Sequence, residues 1–108
     1  MGTLSTHVLD TSLGRPAPGV SITLESLAGE ALGEGVTDAD GRVSQIGPER
    51  MATGDYRLRF DSGTYYAAAG TTAFYPEIAI AFTIADADAH YHVPVLLNPF
   101  GYSTYRGS

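Results

Sequence analysis

Apolar and polar residues alternate with a period of two along most of this chain. "VSITLES" sets Val20, Ile22 and Leu24 against Ser21, Thr23 and Glu25, and "YRLRF" sets Tyr56, Leu58 and Phe60 against Arg57 and Arg59. Alternation of this kind places one side of a strand in a core and the other in water. "LSTHVLD" divides in the same way, with Leu4, Thr6 and Val8 on one face and Ser5, His7 and Leu9 on the other. "EIAIAFTI" and "YHVPVLL" are apolar enough to predict central strands, with Pro94 placed where no ladder hydrogen bond is required. Turn signals fall between the runs: "GRPAPG", "AGEALGEG", "DADG", "ATGD", "DSG" and "NPFG". The pattern predicts an all-β, antiparallel sandwich or barrel. One segment departs from it. "SGTYYAAAGTTAFYP" holds a triple alanine, and a short helix is expected there, capped by Ser62 or Thr64 and ending at Gly70.

Length and composition narrow the class. No repeat, linker or composition shift interrupts the 108 residues, so a single domain over residues 1–108 is expected, large enough for one core. The chain has no cysteine, which removes disulfides, thiolate metal sites and thiol nucleophiles. A net charge of −6, with six arginines and no lysine, argues against a nucleic-acid partner, which calls for a clustered basic face. No apolar run approaches the length of a membrane helix. "MGTLSTHVLDTS" lacks the basic and apolar regions of a secretory leader, and no S-K-L tag is present, so a cytoplasmic protein is the expectation.

Three histidines carry the candidate chemistry. His90 and His92 in "HYHVP" lie two apart on a strand and share a face, with Tyr91 on the other. With the distant His7 they form a conceivable metal pattern, although no Asp or Glu stands at close strand spacing to complete it. Hydrogen-bonded or solvent-facing sheet histidines are the plainer alternative, and acid–base chemistry is the third. A neutral imidazole accepts a proton near neutral pH, and a neighbouring cation keeps it neutral. His7, on the mixed face of its strand, is not an obvious core residue. Arg42 follows the turn "DADG", in which Gly41 supplies the unusual backbone angles, and so opens a strand, where an arginine commonly just faces solvent. No G-x-S-x-G supports a serine nucleophile. The closing "YSTYRGS" pairs two β-forming tyrosines with Arg106; such an end either frays or is tucked against something polar.

"LSTHVLD", "TDADGR" and "HYHVPVLLNPFGYSTYRGS" together resemble the transthyretin-related family, and within it the enzyme branch that hydrolyses 5-hydroxyisourate. The resemblance runs end to end, and "YRGS" is its most specific mark. It implies a two-sheet sandwich of about eight strands with one short helix. It also implies a homotetramer, with catalytic pockets at the mouths of a central channel and the tail contributing to them. The loop "SLAGEALGEG" is shorter and richer in Gly and Ala than the resemblance leads one to expect. Carried over by position, the catalytic set falls on His7, Arg42, His92 and Ser108. The substrate-binding set falls on Tyr105, Arg106, Gly107 and His90, with Tyr105 expected mainly to pack. The implied reaction opens an oxidised purine ring in urate breakdown, giving 2-oxo-4-hydroxy-4-carboxy-5-ureidoimidazoline, with no metal and no cofactor. The alternative is a carrier that binds a small aromatic ligand in the channel; it predicts an apolar lining, against which the basic residues count.

Overall fold

The computed structural model describes residues 3–107. Its strands are β1 (Leu4–Asp10), β2 (Arg15–Pro16), β3 (Ser21–Ser26), β4 (Ala31–Val36), β5 (Arg42–Val43), β6 (Gly54–Phe60), β7 (Ile78–Ile84), β8 (Tyr91–Asn98) and β9 (Gly101–Thr104), with one helix, α1 (Ser62–Ala68), between β6 and β7. They form two sheets. One runs β2-β1-β8-β9, with β5 also paired to β1; the other runs β4-β3-β6-β7. The expected sandwich with a short helix is therefore present, but it is not wholly antiparallel, since β1 and β8 pair in parallel. The described residues form nine strands where about eight were expected, two of them only two residues long.

The alternating residues meet between the sheets as expected. Val20, Ile22, Leu24, Leu58 and Phe60 from one sheet pack against Leu4, Val8, Tyr91, Val93, Val95 and Leu97 from the other, all at most 8% exposed. Each such side chain contributes about 1.5–3 kcal/mol by leaving water. Because this face of β1 and β8 is committed to the core, their alternate residues must line the outer face of the same sheet. That outer face carries Ser5, His7 and His92.

Three local expectations need correction. "EIAIAFTI" does not form a central strand: β7 is an edge strand paired only to β6, with just Ile78 and Ile84 buried at its ends. Its apolar run misled because small alanines occupy alternate positions that face outward. "AGEALGEG", expected as a turn, contains most of β4. Its glycines are strand residues set there by crowding: a Cβ on Gly33 would lie 2.7 Å from Gly47 Cα, and one on Gly35 would lie 2.9 Å from a Val43 methyl. Finally, α1 is capped by Asp61, which accepts the Thr64 N–H, rather than by Ser62 or Thr64. The helix ends in a Schellman turn at Gly70 (φ +70°), with Thr71 N–H donating to Tyr66 O and Gly70 N–H to Ala67 O.

Pro94 sits in the central β8, as expected, at a point that requires no donor. The pairing of β8 with β9 ends at Val95 opposite Thr104, and among the described residues the tail backbone bridges to β8 again where Gly107 meets His92. His92 and Pro94 point their backbone groups to this same side, so the missing N–H falls in the gap between the two contacts.

Candidate active site

Register alone gathers the histidines. The parallel pairing of β1 with β8 sets Ser5 opposite His92, and the antiparallel pairing of β1 with β5 sets His7 opposite Arg42. On the far side of β8, Gly107 N–H donates to His92 O at 2.9 Å. His7, His92, Arg42 and the backbone of the tail thus lie side by side on the outer face of one sheet. Ser5, Thr6, Arg42, Val43, Ser44, His90 and His92 line an open cleft of about 260 Å³ there.

The turn before Arg42 is stapled to β1. Asp38 accepts the backbone N–H groups of Asp40 (2.9 Å) and Arg42 (3.0 Å), which curls "DADG" back on itself and pulls the Asp38 carboxyl below its usual range. Gly41, at φ +74°, presses onto β1: Val8 N–H donates to its carbonyl at 2.7 Å, and a Cβ there would lie 2.3 Å from Val8 O. His7 Nε2 lies 2.9 Å from the Asp40 carbonyl. A carbonyl only accepts, so the hydrogen is on Nε2, and neutral His7 keeps its lone pair on Nδ1. The staple delivers the Arg42 guanidinium to the histidines with no carboxylate within ion-pair distance among the described residues. By contrast Arg57 and Arg59 pair with Glu25 and Glu77 on the other sheet, and Arg50 pairs with Asp88.

His92 is half-buried, and its protonated form is disfavoured. Loss of water around the ring lowers its pKa first, and the positive charges of Arg42, His7 and His90 lower it further; a hydrogen bond to the Ser5 backbone opposes them. Its ring is fixed on two sides. Nδ1 meets Ser5 Oγ at 2.7 Å, and the tail backbone lies against the ring so closely that a Cβ on Gly107 would fall 2.5 Å from His92 Cδ2.

His90, just before β8, is exposed, and both ring nitrogens are engaged: Nε2 with Ser5 Oγ at 3.0 Å and Nδ1 with Thr3 Oγ1. Tyr105 and Arg106 are not brought into the cleft. They line a separate recess of about 320 Å³ that also reaches His92, and the Arg106 guanidinium carbon stands 4.5 Å from the centre of the Tyr91 ring. Tyr91 is itself anchored, its phenol oxygen accepting the Ala85 and Asp86 N–H groups at 3.0 Å each. Ser108 lies outside the described residues. Among those residues no three His, Asp or Glu side chains converge as a metal ion would require. Two participants went unnoticed in the sequence. Ser5, two before His7, shares its face and was the legible one; the carbonyl of Asp40 carries no side-chain signal at all.

Comparison with known proteins places the chain. It belongs to the HIUase/Transthyretin family, whose model matches residues 4–107. It is 51% identical over 118 residues to 5-hydroxyisourate hydrolase 2 of Rhizobium meliloti, covering 99% of this chain and 97% of that protein. Its fold matches the solved 5-hydroxyisourate hydrolase of Klebsiella pneumoniae with a TM-score of 0.91 and 42% identity, covering 98% and 99% of the two chains. Sea bream transthyretin, solved with thyroxine, matches with a TM-score of 0.90 and 30% identity over 97% and 94%.

Proposed function

We infer that this chain is an enzyme that hydrolyses 5-hydroxyisourate. Water adds to a ring carbonyl carbon, the ring C–N bond breaks, and the released nitrogen takes a proton. The product is 2-oxo-4-hydroxy-4-carboxy-5-ureidoimidazoline. The observation that carries this reading is Arg42, with no carboxylate at ion-pair distance among the described residues, beside a His92 whose proton affinity is lowered. That is a neutral base next to a cation free to meet developing negative charge. The fold does not discriminate between branches of the family, since hydrolase and thyroxine-bound transthyretin match about equally well. Sequence identity and a cleft lined by histidines, serines and arginine favour the hydrolase over a carrier with an apolar channel.

In the proposed mechanism His92 removes a proton from the attacking water through Nε2, the ring nitrogen not bonded to the Ser5 hydroxyl. His7, with Nε2–H held by Asp40, offers Nδ1 to orient that water. Arg42 binds the ring oxygens and stabilises the oxyanion. Gly107 sets the His92 ring by backbone contact. Arg106, Ser108 and Tyr105 close the site from the tail, in an assembly of four chains that sets the recess behind His92 beside the cleft.

The test is the decay of freshly generated 5-hydroxyisourate with and without the protein, and with EDTA. Acceleration that survives EDTA is expected, with His92→Asn lowering kcat about 10²–10⁴-fold, the usual span for a lost general base. Decay at the spontaneous rate from folded protein would leave the carrier reading in front.

A further inference from the structure

We propose that Ser5 is a positioning residue that joins His92 to solvent through His90. Its hydroxyl forms a hydrogen-bonded chain from His92 Nδ1 through Ser5 Oγ and His90 to Thr3, and the direction of that chain sets which nitrogen of His92 bears the hydrogen. This rests on the hydrolase reading above and extends it to residues that reading does not use.

The geometry is specific. Ser5 is only 8% exposed, and its one hydroxyl sits 2.7 Å from His92 Nδ1 and 3.0 Å from His90 Nε2. The other nitrogen of His90 is bonded to Thr3 Oγ1, and the His90 ring is exposed. A hydroxyl has one hydrogen and can also accept, so it donates to one imidazole and accepts from the other. Two arrangements therefore satisfy these side-chain contacts. In the first, His92 Nδ1–H donates to Ser5, Ser5 donates to His90 Nε2, and His90 Nδ1–H donates to Thr3; His92 Nε2 then presents a lone pair. In the second, every donor is reversed, and His92 Nε2 presents an N–H.

The first arrangement is the base and the second the acid of one hydrolytic cycle. When His92 Nε2 takes a proton from water, its Nδ1 proton passes to Ser5 Oγ. The Ser5 proton passes to His90 Nε2, the His90 Nδ1 proton to Thr3 Oγ1, and the Thr3 proton to solvent. One proton enters and one leaves, and His92 remains neutral with its hydrogen on Nε2. The reverse passage accompanies donation of that hydrogen to the departing ring nitrogen, drawing one proton from solvent and restoring the first arrangement. His92 never accumulates positive charge beside Arg42, which faces it from β5, or beside His7, which faces it from β1; His90 is the third titratable group bearing on it. On the tail side it meets the backbone of Gly107.

The test reads the His92 ring nitrogens by ¹⁵N NMR and the hydrolysis rate in parallel. In the unsubstituted protein the Nδ1–H form is expected, with Ser5→Ala shifting the balance toward the other tautomer. Ser5→Ala should lower kcat about 10–100-fold, within the range of a proton-transfer contribution, with KM unchanged. Ser5→Thr, which keeps a hydroxyl, should recover most of the loss. His90→Ala should be slow in dilute buffer and regain rate as imidazole buffer is raised, since an external carrier replaces the outlet. A Ser5→Ala variant with unchanged kcat, pH profile and ring-nitrogen shifts would overturn the proposal. So would a His90→Ala variant indifferent to buffer concentration. Failure of the hydrolase reading itself looks different: the unsubstituted protein would leave decay at its spontaneous rate, whatever the rings report.

Discussion

At the residue scale, the behaviour of His92 follows from what surrounds it. Loss of water and the nearby charge of Arg42 both penalise the imidazolium, so the ring stays a base below the pH at which a free histidine would be half protonated, about 6.5. The acidic limb of kcat/KM is therefore expected below pH 6.5. Arg42→Gln removes one of the repelling charges, which raises the affinity of His92 for a proton and moves that limb to higher pH. It also costs about 10²–10³ in kcat through the lost oxyanion partner. A pH–rate series on both proteins checks the two effects together, and a limb that stays in place would separate Arg42 from His92. The three histidines and Arg42 were legible in the sequence as candidates, because imidazole and guanidinium are chemically conspicuous. Their grouping was not, since His7 and His92 are 85 positions apart and meet only through the register of two strands.

At the element scale, the site depends on two glycines that let backbone approach backbone. Gly41 lets the "DADG" turn lie on Val8, and Gly107 lets the tail lie on the His92 ring. Gly107→Ala would drive a methyl into Cδ2 of His92 and Cγ of Pro94, so the ring must turn away. Displacing a reacting group by about an ångström costs of the order of 10²-fold in rate. The tail contributes little to the core, so thermal stability should stay within about 0.5 kcal/mol. Melting curves and turnover measured on one preparation check that split; full activity would mean that the tail does not set the ring. The element boundaries show where sequence reading stops. The period of two located β3 and β6 because each has one wet face and one dry face. It failed at β4, where glycines demanded by contact with Val43 and Gly47 looked like turn residues.

At the scale of the whole molecule, Asp10 ties the layers together. It is 1% exposed and accepts hydrogen bonds from Ser12, Leu13 and the Tyr65 hydroxyl of α1. Burial raises its pKa, but these donors more than offset that, and the carboxyl titrates below its ordinary 3.8. The unfolded chain therefore binds this proton more readily than the folded one. The resulting stabilisation is fully present above about pH 4 and is lost as the pH falls through the lowered folded value. Asp10→Ala removes the acceptor and strands its donors, which should cost about 2–3 kcal/mol, or roughly 10 °C in Tm. Calorimetry at pH 7 and pH 3 checks this, with the difference between the two proteins shrinking at the lower pH. The proposed assembly belongs to the same scale. Sedimentation should give about four times the 11.4 kDa of one chain, and a monomer of full activity would remove the channel from the mechanism.

The sequence by itself determined the class of fold, the composition of the core and the inventory of reactive side chains. These depend on local periodicity and on residue chemistry, which any stretch of chain displays alone. Only the tertiary structure decided which of those side chains meet. Ser5 faces His92 because β1 and β8 run parallel in one register, and His7 faces Arg42 because a glycine turn is pinned to the same strand. β7, apolar at all but one position, became an edge because no further strand of the described chain pairs beyond it. Register, edge position and close backbone approach are properties of pairs of segments, and a pair has no signature in either segment alone.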